Sequence, residues 1–522
     1  MPKTQAEIKI VGSSTFGRYP KISLEKTYNM FISDDWLVSY PGFKKVLEIN
    51  ANSEGRGLFH SIRGNFLIYV VGSSVYKITT GIGSIKVGNL SSSTGEVFMD
   101  ENLSSQICIV DGIDAYIYNW SNKSLTKQNF AYAPGFVSYH NSFFLIAQEP
   151  TQPHPENWFV YQFLNDTEIV QLASNAGGTF SIQTKPDVCL AVHRIPGRGN
   201  NIIAIGSAVS EVYTQVGGSE NYRRNSSFNI NSGCVSKSTI ACADTLVCWL
   251  GQNENNSPTI MFTDGSNIEQ ISTDGINYQL QEIQFPEQST AFFYKQDGHL
   301  FYQLTFYNSA DNLSLVYDFN TSKFFHVTDW RLNYHPARQV VFFEEKTYFA
   351  SLSEGSIYQM DTNIIDQINV VGDVEGHNIP RIRICNTVRQ GSTKPFRVNE
   401  VVFVMEQGVN SFPQMRIDSS NCTDIMITED GNVMISEGGA EMQGEDGICA
   451  TNINRPCVDM SISKNGAQTF SGGVRRYLNA EGHYRNMISW HRLGFANEFT
   501  VQLEFSGMQR FVINDGLADI TT

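Results

Sequence analysis

From residue 58 to residue 360 the chain repeats one pattern of apolar and polar positions. A short apolar run meets a polar turn, a second apolar run follows, then a small-residue turn, then a run that carries an aromatic side chain. The first copy reads Leu58-Phe59-His60-Ser61-Ile62, Arg63-Gly64-Asn65, Phe66–Val71, Gly72-Ser73-Ser74 and Val75-Tyr76-Lys77-Ile78. Three further copies are built round Ile107-Cys108-Ile109-Val110 with Ala115-Tyr116-Ile117-Tyr118, round residues 137–146 with Trp158-Phe159-Val160-Tyr161, and round residues 201–205 with Glu211-Val212-Tyr213. The last three centre on Leu246-Val247-Cys248-Trp249-Leu250, on residues 298–306 with Leu315-Val316-Tyr317-Asp318, and on Thr347-Tyr348-Phe349-Ala350 with Ile357-Tyr358.

The repeat spacing, ~40 to 50 residues, is that of one four-stranded propeller blade per copy. The period-two alternation and the Gly, Asp, Asn and Ser turns are those of β-hairpins. One such sheet cannot bury both faces; packing sheets radially and closing the ring solves that and leaves few exposed edges. Seven units are countable, with six or eight as neighbouring solutions, and a run of β-sandwich domains is the competing architecture. Helical signals are confined to residues 23–30 and 362–368, each enough for a turn or two.

Beyond residue 369 the pattern changes. Strand-like runs occur at Arg381-Ile382-Arg383-Ile384-Cys385 and residues 398–405, then at 458–463, 487–490, 499–505 and 510–513. Between Arg416 and Arg455 there is no Lys or Arg, while Asp418, Asp424, Glu429, Asp430, Glu437, Glu441, Glu445 and Asp446 accumulate among glycines. The expected organisation is therefore all-β. A propeller spans residues 51–368, and a sandwich or platform domain spans 369–522 with an acidic, glycine-rich excursion over 417–454. An N-terminal segment, 1–50, packs on that platform. The acidic residues are either a solvated loop or the lining of an interface or channel; they lack the D-x-[DN]-x-[DN]-G order of a calcium loop.

Composition sharpens this picture. Hydrophobic residues make up 41% and charged residues 17% of the 522, enough for a substantial core. Phe (34) and Tyr (22) are abundant and suit a pleated surface. The net charge of −15 argues against a protein that grips nucleic acid, which needs clustered Lys and Arg, and suits a surface that DNA passes without adhering. Basic groups at Arg194, Arg198, Arg223, Arg224, Arg381, Arg383, Arg389, Lys394 and Arg397 are read as salt-bridged surface, with contact to DNA or an acidic neighbour as the alternative. Nine scattered cysteines, with no C-x-x-C pair, predict free buried thiols. The sequence predicts neither a signal peptide nor a membrane span, since its longest strongly apolar run is Phe66–Val71.

The sequence carries none of the common catalytic motifs. There is no Gly-Lys pair and hence no Walker motif, no G-x-S-x-G elbow and no H-E-x-x-H. His483, His491 and His154 with Glu156 are isolated and show no convergent third metal ligand. Two segments, 272–278 and 463–470, resemble the Asp-box hairpin of sialidase propellers, which is a structural device. Catalysis would need an arginine cluster, a tyrosine and paired carboxylates besides. No catalytic, cofactor or metal residue is assigned, and the chain is not expected to be an enzyme.

Three features in order carry a family resemblance. They are Gly17-Arg18-Tyr19-Pro20 with Tyr28-Asn29-Met30-Phe31, then Tyr40-Pro41-Gly42 ahead of the first repeat, then residues 460–463 and an Asn-Gly hairpin leading to Trp490-His491-Arg492-Leu493-Gly494. With the propeller between them they resemble the tail hub, or nozzle, protein of short-tailed bacteriophages, also described as a packaged-DNA-stabilisation protein. The resemblance implies a homohexameric ring below the portal and its adaptor. Tailspikes or fibres would sit at its side, a needle or plug at its distal end, and genomic dsDNA would pass through without sequence-specific binding. It implies a virion tail location, with synthesis in the bacterial cytoplasm. The Tyr40 to Gly42 turn would lead the N-terminal segment into the propeller. A carbohydrate- or receptor-binding propeller of the adhesin kind is the alternative, and a glycoside hydrolase on the same fold the third reading.

Overall fold

The computed structural model describes residues 3–15, 25–218, 220–252, 255, 257–374, 376–389, 395–407, 456–479, 486–507 and 509–521. Seven antiparallel sheets succeed one another along the chain. The first four comprise Gly55–Ser61 to Gly83–Asn89, Phe98–Glu101 to Ser124–Gln128, Pro134–His140 to Glu168–Gln171, and Cys189–Arg194 to Tyr222–Ile230. The fifth has an inner strand in two pieces, Gly233–Cys234 and Ala241–Ala243, and ends at Ile268–Gln270. The sixth runs from Ser289–Gln296 to Lys323–His326, and the seventh holds Ala337–Phe343, Lys346–Ser351 and Gly355–Asp361.

Each blade faces two neighbours, so its central strand is apolar on both sides. In Phe66–Val71 all six residues are buried, with Phe66, Ile68 and Val70 packed against Ile107 and Ile109 of blade two. Leu67, Tyr69 and Val71 pack the other way, against Tyr348, Ala350 and Ile357 of blade seven. Comparable clusters join every other consecutive pair of blades, and the contact of seven with one closes the circle. Hairpins between first and second strands turn on residues held at positive φ, such as Asn141 with Ser142 and Glu344 with Glu345, matching the twist of the flanking strands.

Blade seven lacks a fourth strand from its own repeat. Gly42–Asn50, expected within the N-terminal 1–50 extension, supplies it, pairing antiparallel with Gly355–Asp361. Its entry depends on Gly42, whose N donates to Ile364 O (2.6 Å). A Cβ there would lie 2.5 Å from Asp366 O and 2.7 Å from Ile364 O, so the backbone approach itself selects glycine.

The remaining segments form a sandwich beside blade six. Lys26–Tyr28 runs parallel to the outer strand of that blade, and Arg381–Ile384, Glu498–Ser506, Cys457–Ser463 and Val474–Tyr477 continue the sheet outward. Facing it is a six-stranded sheet of Met30–Ser33, Trp36–Ser39, Val512–Thr521, Phe396–Met405, Met487–Ala496 and Lys3–Ile8. Their shared core includes Leu37, Phe403, Ile513, Val458, Leu503 and Phe505.

Three expectations are corrected. The two short helices predicted at 23–30 and 362–368 do not form among the described residues: Lys26–Tyr28 and Met30–Ser33 are strands, and residues 362–363 make a turn ahead of the strand Gln367–Ile368. Pairing to sheet edges outweighs their weak local propensity. The segment 272–278 is no Asp-box hairpin but the start of an α-helix, Asp274–Gln281. Ile276 and Leu280, one turn apart, are buried against Ile260 and Leu304, and Asp274 lies in the first turn. Finally, Arg381 and Arg383 are not surface groups: both are fully buried.

Candidate interaction surfaces

The inner strands of the blades converge on the propeller axis. On the face that joins second to third strands, Arg338 pairs with Glu54 (3.1 Å) and Glu96 (3.8 Å), and Lys237 pairs with Glu149. Beside them Arg56 is fully buried and donates to Gly95 O (2.6 Å), Gly72 O (2.9 Å), Ser92 O (2.9 Å) and Ser92 Oγ (2.7 Å). Burial holds the Glu96 carboxyl above its usual range. At the other end Arg194 faces Asp100 at 3.6 Å, and Tyr139 N donates to the same carboxylate. Between the two ends Phe59, Phe98, Met99, Phe136 and Ile240 leave a cavity of about 290 Å³. The axis is filled and its charges are paired. Of these network residues only Arg194 was singled out from the sequence, as salt-bridged surface, and it does pair with Asp100. Glu54 and Glu96 stand just ahead of the inner strands of blades one and two, which superposing the repeats would have exposed.

The platform is fastened by buried polar anchors. Arg383 donates to Ile10 O (2.8 Å), Ser13 O (3.1 Å), Lys9 O (3.1 Å), Thr27 Oγ1 (3.2 Å) and Glu25 (2.7 Å), holding the N-terminal arm. Arg381 donates to Ile365 O (2.6 Å) and Ile379 O (3.1 Å). His299 Nδ1 lies 2.9 Å from the buried Asp318 and its Nε2 3.4 Å from Ser33 Oγ. That is the order of a nucleophilic triad, but the ring is packed against Phe31 and Phe301, Asp318 also caps its own turn at Asn320 N and Thr321, and the set ties the N-terminal hairpin to blade six. Burial pushes the Cys234, Cys242 and Cys385 thiols up to about 12, which keeps them protonated. Among the described residues no three His, Cys, Asp or Glu side chains are placed to hold a metal ion, and no helix is long and apolar enough to cross a membrane.

The residues of the N-terminal and C-terminal motifs occupy definite places. Asn29, at φ 54°, donates through Nδ2 to Thr328 Oγ1 and Pro380 O (2.7 Å each), joining blade six to the platform. Met30 lies in the platform core, whereas Tyr40 lies in the blade six–seven core and bonds Tyr294 and Gln303. Trp490 is buried and donates to Val474 O (2.7 Å). Arg492 (φ 62°) and Gly494 (φ 88°) form a bulge opposite Val398 and Glu400, and Leu493 packs on the core. In the second Asp-box-like segment, Thr469 N donates to Asn465 Oδ1 (3.0 Å) as such a turn requires. Of the basic groups, Arg223 pairs with Glu220 (2.7 Å), Arg224 with Glu211 (3.2 Å) and Arg389 with Glu498 (2.9 Å). Gly17, Arg18, Tyr19, Pro20, Lys394, His483 and the whole acidic set from Asp418 to Asp446 lie outside the described residues.

A family profile described as Bacteriophage P22 Gp10, beta-propeller, matches residues 17–365, two-thirds of the chain. The chain belongs to that family. It is a structural protein of a phage tail built on a β-propeller. The match takes in the closing strand and all seven blades and stops ahead of the platform's C-terminal strands, so Trp490, Arg492, Leu493 and Gly494 lie beyond it. No curated protein matches the chain. Among solved structures, a streptogramin B lyase is similar at 9% identity over 63% of this chain and 99% of its own, with a TM-score of 0.41. The virginiamycin B lyase of Staphylococcus aureus is 10% identical over 60% of this chain and 98% of its own (TM-score 0.41). The Neurospora crassa Pan2 WD40 domain is 9% identical over 61% and 92% (TM-score 0.39). Likeness at this level carries no inference about activity.

Proposed function

We propose that this chain is the tail hub subunit of a short-tailed phage. Six copies form a ring below the portal and adaptor, retain packaged DNA, carry tailspikes or fibres at the side and a needle or plug at the distal end, and conduct the genome at ejection. The observation that carries this reading, in a member of a phage tail family, is the filled propeller axis. An axial cavity of about 290 Å³ cannot admit a duplex, one turn of which, ~34 Å long and wider than its ~12 Å major groove, fills at least ~4,000 Å³. A passage for DNA must then lie between subunits, and a closed ring of identical copies supplies one. The net charge of −15 favours a wall along which DNA slides. Interlocked blades give a rigid body on which turns and platform edges serve as docking surfaces.

Electron micrographs of the purified full chain test the ring: six-fold particles of six times 58.5 kDa are expected, and a monomer at every concentration overturns it. Particles assembled without the chain are expected to lose their DNA; particles that keep it overturn the retention role.

A further inference from the structure

We propose that the cleft between blades six and seven binds a neutral saccharide of one or two units. It opens on the face that joins second to third strands and measures about 460 Å³, within the roughly 300–1,000 Å³ typical of small-ligand sites. Of the thirteen residues that line it, only Pro336 lacks a hydrogen-bonding side chain. Such a wall repels an apolar ligand, whose burial would strand those groups without partners.

Charge narrows the class further. The lysine of the cleft, Lys45, is buried and held by Glu354 (3.0 Å) and Glu48 (2.7 Å). A phosphate or carboxylate would therefore meet no unpaired cation there among the described residues, and would face Asp329 and Glu354 instead. What remains on offer is a dense array of amides and hydroxyls, which both donate and accept, as each sugar hydroxyl does. Half-buried Tyr334 adds an aromatic wall for the apolar face of a pyranose.

The groups are already in position. Asn333 N donates to Asp329 Oδ1 (2.7 Å), Tyr334 N to Asn312 Oδ1 (2.6 Å), Gln367 Nε2 to Asn369 Oδ1 (3.0 Å), and Tyr358 OH to Glu354 (2.5 Å). Side chains held in this way lose little freedom on binding, which is where an uncharged polar ligand gains affinity.

Saturation-transfer NMR on the full chain tests this, with glucose, galactose, N-acetylglucosamine, maltose and lactose as probes and inorganic phosphate as the anionic control. At roughly 10 mM, enough for a dissociation constant near 1 mM, at least one sugar is expected to receive saturation. Asn333→Ala, an exposed position, and Ser353→Trp, which fills the cleft, are each expected to weaken that signal about tenfold. Because Asn333→Ala leaves the core untouched, it decides the matter even where the tryptophan lowers stability. Silence from all five sugars, unchanged binding in both variants, or displacement of the sugar by phosphate overturns the assignment. Ring formation is read separately, so the hub can stand while the saccharide site falls, or the reverse.

Discussion

Propeller and platform are both all-β, yet they are held together by opposite means. In the propeller, six of the seven blade interfaces join sheets that follow one another in the chain, and each is an apolar cluster of similar make-up. In the platform, Lys3–Ile8 pairs with Val512–Thr521 and Lys26–Tyr28 with Arg381–Ile384, segments hundreds of residues apart. There the N-terminal arm is drawn in by buried guanidinium groups as well as by apolar contact. A scaffold of near-equivalent interfaces distributes its stability; an assembly of distant segments concentrates it in a few anchors.

That contrast can be broken at its strongest point first. Replacing Arg383 by Met leaves three carbonyls, Thr27 Oγ1 and Glu25 without their donor and is expected to cost about 3–5 kcal/mol. Hydrogen exchange should then rise over residues 9–13 and 25–28 and stay unchanged in blades two to four; uniform loosening would refute the anchor. Ile68→Ala, which opens a cavity between blades one and two, is expected to cost roughly 3 kcal/mol in denaturant titration, with exchange raised on both sides of that interface. Gly42→Val forces the closing strand away from two carbonyls at roughly 1–3 kcal/mol, and protease should cut first near residues 42–50.

An effect of comparable size is graded by pH. Burial lowers the imidazoles of His326 and His335 to about 3, whereas in the unfolded chain they titrate near 6.5. The unfolded state therefore binds more protons between these values, and stability falls as pH drops from 6.5 towards 3, by at most about 1.4 kcal/mol per pH unit for each histidine. Unfolding midpoints of wild type and His335→Asn should converge as pH falls towards 5; parallel curves would remove the histidine from the account. Smallest of all, Arg223→Ala breaks an exposed pair with Glu220 and should move stability by less than about 0.5 kcal/mol.

The propeller was legible because its repeats are local: a run such as Phe66–Val71 with flanking turns announces a strand wherever it lands. The number of blades was less so, since blade five breaks its inner strand in two and blade seven borrows an outer one. Pairing partners of the platform could not be read, because nothing in Lys26-Thr27-Tyr28 states that Arg383 lies against it. The helix at Asp274–Gln281 was missed because only two buried residues, Ile276 and Leu280, mark its face. Arg381 and Arg383 look like surface in a sequence, and only the carbonyls they meet make them interior. The axial ion pairs share that difficulty: each partner comes from a different blade.

The borrowed strand of blade seven also sets a timetable. Gly42–Asn50 leaves the ribosome early, but its partner Gly355–Asp361 follows roughly three hundred residues later. At ~5–20 residues per second, that is a wait of ~15–60 s, during which the first-made strand has an edge and no mate. Six blade contacts can form in order of synthesis; the seventh is a long-range event, slow by nature because a large loop must close before any gain is realised. The circle is therefore locked by a strand made before any of the blades, acting last.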